Sequence, residues 1–227
     1  ILSSRPSSSD TQKIKHHLYG VISVKRYFSA GDWLKQAKKK INYCLKKKKI
    51  PIVVGGTGLY FNTITKGISK IPNIDLKTRN KVRNLYKKIG FKKFYDLLLK
   101  LDPKIKGRIL PTDSQRAQRA YEVKFKTKKS LFDWFDNTKS DFLDFEIKKI
   151  FIDIPRDELL KKISLRTELM IKKKCINEVR KFNRLKIKKN LSANKLIGVQ
   201  EINDFLNGSI SLDQCKELIN IKTRQYA

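Results

Sequence analysis

Apolar side chains recur at helical spacing over most of this chain. Between residues 32 and 48, Trp33, Leu34, Ala37, Ile41, Cys44 and Leu45 fall on one face, behind Ser29 or the Gly31-Asp32 pair as a cap. The pattern then changes. Ile50-Pro51-Ile52-Val53-Val54 is a short continuous apolar run that ends in Gly55-Gly56-Thr57-Gly58, which reads as a buried strand of a parallel sheet. Leu59-Tyr60-Phe61 opens a further helix that closes near Gly67. Residues 29–67 therefore predict helix, strand, helix, the unit of an α/β layer.

Past the break at Pro72-Asn73-Ile74-Asp75 the pattern is helical throughout. Val82, Leu85 and Ile89 form one stripe, and Phe94, Leu97, Leu98 and Leu101 another. Asp102-Pro103 starts a short helix, Thr112 or Asp113 starts the next, and Ser130 caps Leu131–Phe135. Residues 149–154, Lys-Ile-Phe-Ile-Asp-Ile, predict a second buried strand ended by Pro155. Helices follow near 156–174, 176–186, 193–206 and 211–227, with Gly208 as a stop and Ser211 as a start. Residues 1–20 are polar and Ser-rich and read as a loop. The expected organisation is an α/β core over 1–71, an all-helical insertion over 72–146, and the second part of the core with C-terminal helices over 147–227.

Composition narrows the class. The 227 residues are 40% hydrophobic and 33% charged, enough to bury a core. No apolar run approaches the roughly 18 residues of a membrane span, and the N-terminus has no hydrophobic leader. The chain starts with Ile rather than Met and stops inside a helical pattern, so both ends are expected to continue. Cys44, Cys175 and Cys215 are odd in number and widely spaced, which implies reduced thiols, a cytoplasmic setting and no zinc site. His16-His17 have no partners at ligand spacing.

A net charge of +32 attracts polyanions, nucleic acid first among them. Lys supplies 41 of the 53 basic residues and Arg only 12. An AT-rich genome enriches Lys, Ile and Asn by codon drift, so part of this charge is background on solvated faces. In such a chain, arginine marks places where a planar, bidentate donor is needed, which singles out Arg5, Arg79, Arg166, Arg180 and Arg224.

Three segments carry candidate chemistry. Glycines at the end of a parallel strand, as in Val54-Gly55-Gly56-Thr57-Gly58, let an anion approach the backbone while Thr57 offers a hydroxyl; a plain strand–helix turn has the same signature. On the helix after Asp113, Gln115, Arg116 and Arg119 share a face, where two guanidiniums and an amide suit phosphate and base-edge contacts; a solvated face is the alternative. Gly198, within Lys195-Leu196-Ile197-Gly198-Val199-Gln200, marks close approach of a ligand or of another helix. No Ser/His/Asp grouping, H-E-x-x-H motif or G-x-x-x-x-G-K-[ST] loop is present.

Several segments, in order, resemble bacterial tRNA dimethylallyltransferases (tRNA isopentenyltransferases). They are Ile1–Ser7, His16–Gly20, Tyr27–Gly31, Ile52–Phe61, Gln115–Val123, Ile197–Glu201 and Thr223–Ala227. The resemblance implies a partial P-loop NTPase-like parallel-sheet core with a helical insertion that grips the tRNA anticodon stem-loop. It implies Mg²⁺-assisted transfer of a dimethylallyl group from dimethylallyl diphosphate to N6 of the adenosine 3′ of the anticodon, by a monomer. Thr57 is then the catalytic hydroxyl beside the acceptor base. Gly55, Gly56, Arg166 and Arg224 belong to the diphosphate and substrate pocket. Arg79, Gln115, Arg116, Ala117, Gln118 and Arg119, with Lys195, Leu196, Ile197, Gly198, Val199 and Gln200, face tRNA. Lys195 stands where the family usually has Arg, which removes a bidentate donor. The phosphate loop, the general base and the Mg²⁺ ligands are expected before Ile1, so this stretch by itself is expected to be inactive and to hold no metal. The alternatives are an adenylate isopentenyltransferase acting on a free nucleotide, a noncatalytic basic RNA-binding protein, and a small-molecule kinase.

Overall fold

Serine caps start many of the helices. Ser7, Ser29, Ser130 and Ser211 each take a backbone N–H of the first turn and receive a side chain in return from Asp10, Asp32, Asp133 or Gln214. The structure, a computed structural model, describes residues 1–189 and 191–227. Its α-helices are α1 (Ser8–Lys13), α2 (Ala30–Lys46), α3 (Gly58–Thr65), α4 (Leu76–Leu101), α5 (Ser114–Thr127), α6 (Leu131–Asp136), α7 (Arg156–Lys172), α8 (Cys175–Arg184), α9 (Val199–Leu206) and α10 (Leu212–Tyr226). Short 3₁₀ turns span Pro103–Ile105 and Ser192–Lys195. Helix α1 corrects the expectation of a loop over 1–20; its cap had a sequence signal in the Ser7…Asp10 spacing.

The chain forms two units, residues 1–57 with 148–227 and residues 58–147. The second unit is helical. Val82, Phe94, Leu98, Ile105, Ala117, Ala120, Val123 and Leu131 form its core, and the buried Tyr95 hydroxyl donates to the Ile109 carbonyl at 2.6 Å. Gly90 breaks α4 with φ 75° and ψ 172°. That break shifts the helical phase, which is why the two apolar stripes of the sequence do not run into one another. The first unit packs α7, α8, α9 and α10 around Leu2, Met170, Cys175, Val179, Ile202, Cys215 and Ile219.

The division falls earlier than the expected boundary after residue 71. The reason is local bonding around α3. The buried Ser140 hydroxyl donates to the Ile64 carbonyl, and Ser69 and Thr138 share a hydroxyl bond of 2.7 Å. Gly67, at φ 89°, lies so close to the Lys139 carbonyl that a Cβ would clash with it. These contacts tie α3 and its exit loop to the helical unit.

The sheet expected from the two apolar runs is not seen among the described residues. Neither residues 50–54 nor residues 149–154 form a helix, and no strand pairing occurs among the described residues. Ile52 is 82% and Phe151 89% exposed. An extended segment becomes a buried strand only when neighbours satisfy its N–H and C=O groups and cover its faces. Apolar composition does not supply the partner.

Candidate functional site

In the first unit the Gly55-Gly56-Thr57 turn is exposed and meets the end of α10. Thr57 Oγ1 lies 3.2 Å from the Tyr226 hydroxyl. Gly56 lies beside the same ring: a Cβ there would stand 3.4 Å from the phenol oxygen, in ordinary van der Waals contact. The expected pocket arginines have other partners. Arg166 donates to Ser4 Oγ at 2.7 Å, and Arg224 pairs with Glu217 at 3.0 Å. Next to Ser4, the Arg5 guanidinium covers Gly20 and lines a cavity of about 290 Å³ with Tyr19, Phe28, Trp33 and Gln36. Both partners of Arg166 and Arg224 are exposed, and each guanidinium keeps further N–H donors for an anion.

The 195–200 segment divides by burial. Lys195, Leu196 and Gln200 are exposed, Ile197 is half-buried, and Gly198 and Val199 are buried. Gly198 takes φ 100°, and Leu2 packs where its Cβ would be. This glycine answers the close-approach reading with a neighbouring chain segment, so Gly198 and Val199 shape the segment from inside. Glu201 holds the turn: it accepts the Gly198 N–H at 2.7 Å and pairs with Lys222 of α10.

In the second unit, α5 presents Gln115 and Arg116 to solvent, with Gln118 and Arg119 half-buried. Ala117 is only 2% exposed and packs in the core, so its methyl group supports this face from behind instead of meeting a ligand. Asp113 caps the helix through the Arg116 N–H and holds the Arg116 guanidinium at 2.5 Å. The backbone N–H of Arg116 leads in drawing the Asp113 carboxyl below its usual range. Arg119 is steadied by the buried Glu122 at 3.3 Å. Each arginine is thus oriented by one carboxylate, with donors left over.

The sequence reading missed a groove beside this face. Asn80, Arg83, Asn84 and Lys87 of α4 line a cavity of about 440 Å³ together with Tyr86 and with Gln118 of α5. Their spacing of three, four and seven residues puts them on one helix face, so the signal was available. Arg79, one residue before this comb, has a buried Nε without a hydrogen-bond partner. Nearby, Phe125 stacks on Tyr121 and carries Lys81 at 5.2 Å and Lys128 at 5.5 Å over its ring. Cations interleaved with amides and aromatic rings suit phosphates and unstacked bases. Among the described residues no three His, Cys, Asp or Glu side chains gather as a metal site.

A family model described as IPP transferase matches residues 1–227. A tRNA dimethylallyltransferase of Pelagibacter ubique is 54% identical over 227 residues, all of this chain and 72% of that protein. The chain belongs to the IPP transferase family. Another member, the tRNA dimethylallyltransferase of a Wolbachia strain from Drosophila simulans, is 38% identical over 217 residues, 95% of this chain and 73% of that protein. Two solved structures share the family fold. The tRNA isopentenylpyrophosphate transferase of Bacillus halodurans matches with a TM-score of 0.65 and 24% identity, over 99% of this chain and 70% of that one. A eukaryotic dimethylallyltransferase acting on tRNA matches with a TM-score of 0.82 and 22% identity, over 100% of this chain and 57% of that one. No helix among the described residues is long and apolar enough to cross a membrane.

Proposed function

We propose that the protein transfers a dimethylallyl group from dimethylallyl diphosphate to N6 of the adenosine 3′-adjacent to the anticodon in tRNA, releasing diphosphate. The observation that carries this reading is the 54% identity to a tRNA dimethylallyltransferase along all 227 residues. In the reaction the adenine N6 forms a bond to C1 of the dimethylallyl group, the C1–O bond breaks, its electron pair leaves on diphosphate, and N6 loses a proton. Thr57 stands at the acceptor base as a hydrogen-bonding hydroxyl. The bare backbone of Gly55 and Gly56, with Arg166 and Arg224, receives the diphosphate where negative charge develops. Mg²⁺ would screen that charge; no residue described here is assigned to hold it.

Gln115, Arg116, Gln118 and Arg119, joined by Arg79 and the comb Asn80, Arg83, Asn84 and Lys87, bind the anticodon stem-loop. Lys195 and Gln200 form a second contact, with Leu196 and Ile197 between them. The target base must be splayed out of its loop to reach Thr57. The aromatic and cationic surface around Phe125 suits unstacked RNA. Residues 50–54 and 149–154 are read as strands of a parallel, P-loop NTPase-like sheet; the fold shared with the Bacillus halodurans transferase supports this. The enzyme works as a monomer in a reducing cytoplasm, consistent with its free cysteines.

The test uses the full-length protein with unmodified tRNA and labelled dimethylallyl diphosphate. Product at N6 is expected, and Thr57→Ala should lower its rate on the order of a hundredfold while tRNA binding is retained. Transfer to free AMP but not to tRNA would move the protein to the nucleotide-modifying class. RNA binding without any transfer would leave only a binding protein, and phosphate transfer from ATP would make it a kinase.

A further inference from the structure

Thr57 sits on an exposed turn, where a threonine hydroxyl ordinarily rotates freely and exchanges with water. Here one side chain from far along the sequence restrains it. The Tyr226 phenol lies 3.2 Å from Thr57 Oγ1, across 169 residues of sequence. The ring also rests on Gly56, with ring carbons 3.6 and 3.9 Å from the place a Cβ would occupy. Two neighbouring residues of the turn thus adjoin the same side chain, Thr57 by its hydroxyl and Gly56 by packing against the ring.

The placement of Tyr226 is built into α10. Cys215 and Ile219 are fully buried in the core of the first unit, and Tyr226 follows Ile219 by two helical turns on the same face. Lys222 anchors the helix to Glu201, and the Thr223 hydroxyl donates back to the Ile219 carbonyl at 2.7 Å. Tyr226 itself is 64% exposed, so its hydroxyl contributes little to core stability.

We propose that Tyr226 is a positioning residue for the transfer: its hydroxyl fixes the direction in which the Thr57 hydroxyl meets the reacting adenosine or the departing diphosphate. This rests on the transferase reading of Thr57. Two hydroxyls share one hydrogen bond and leave one O–H free, so the pair presents a single donor in a set direction. A separation of 3.2 Å is long for an O–H···O pair, as is common before substrate tightens a site. Preorienting the donor removes a reorganisation that water would otherwise impose at the moment of reaction.

The experiment is a double-mutant cycle in the full-length protein with tRNA and dimethylallyl diphosphate, comparing wild type, Thr57→Ala, Tyr226→Phe and the double variant. Tyr226→Phe keeps the ring on Gly56 and removes only the hydroxyl. It should lower kcat about tenfold, the effect of one hydrogen bond, with the KM for tRNA and the melting temperature unchanged. In the Thr57→Ala background the same change should have no further effect. A Tyr226→Phe protein with wild-type kcat beside an impaired Thr57→Ala protein overturns the proposal alone. An equal loss in both backgrounds also overturns it, because Tyr226 then acts independently of Thr57. Full activity in Thr57→Ala overturns the reading of Thr57 and this proposal with it.

Discussion

Glu201 shows how one side chain couples two segments of the candidate site. It is 2% exposed, accepts the Gly198 N–H, and pairs with Lys222 on the helix that carries Tyr226. Burial pushes its carboxyl upward, but Lys222 and the N–H groups of Glu201 and Gly198 outweigh that, and it ends below the ordinary value of 4.5. A carboxyl whose folded pKa is depressed contributes stability that is complete above the unfolded value and is lost as pH falls through the folded one. Glu201→Gln should therefore cost about 1.5–3 kcal/mol at neutral pH, and its deficit against wild type should shrink below pH 4.5. Thermal melts across acidic pH check this; parallel curves would mean Glu201 contributes no charge-dependent stability. Its neighbour in the core, Cys215, is the opposite case: burial leads in raising its thiol to about 11, so it stays neutral and packs as a small hydrophobe.

Among the helices, the starts were legible because capping is local. Ser130 and Ser211 cap where the sequence pattern put them, and Ser29 and Asp113 are the ones used out of the two alternatives the pattern left at each of those starts. Interruptions were less so. The single helix expected over 193–206 is a 3₁₀ turn followed by α9, because Gly198 adopts φ 100° and lets Leu2 pack against its backbone. Two glycines allow that effect to be divided. At Gly198 a Cβ would stand 2.6 Å from Leu2 Cδ2, whereas at Gly90, also at positive φ, nothing lies within 4 Å. Gly90→Ala should cost about 1–3 kcal/mol from backbone strain alone. Gly198→Ala should cost more, by about 1–3 kcal/mol, through overpacking against Leu2. Urea unfolding midpoints distinguish them, and equal losses would show that Leu2 moves aside freely.

For the whole molecule, charge is the question that composition raises and does not answer. A net +32 would bind any polyanion, and the proposed reading places tRNA contacts above all at the groove of Asn80, Arg83, Asn84, Lys87 and Gln118. Binding of tRNA should weaken linearly in log–log terms with salt, each phosphate contact adding roughly 0.7–0.9 to the slope. Replacing Arg83 and Lys87 together by Ala should reduce that slope by about 1.5, while the same pair of changes at Lys46 and Lys47 should leave it unchanged. If both pairs lower it equally, binding is diffuse and the groove has no special role.

The sequence alone yielded most of the helices, apart from α1 and the break at Gly198, several of their caps, and the family, since all three rest on short-range pattern and residue identity. It also marked Thr57, Arg116 and Arg119 as candidate chemistry from their local setting. Only the tertiary structure decided that Ala117 faces the core, that α3 belongs with the helical unit through Ser140 and Lys139, and that residues 50–54 and 149–154 lack strand partners among the described residues. Only it brought Tyr226 to Thr57. The physical reason is the same in each case: a cap or a helical face is complete within a few residues, whereas a ladder, a core contact or a shared hydroxyl bond needs a partner whose position is set by the packing of the rest of the chain.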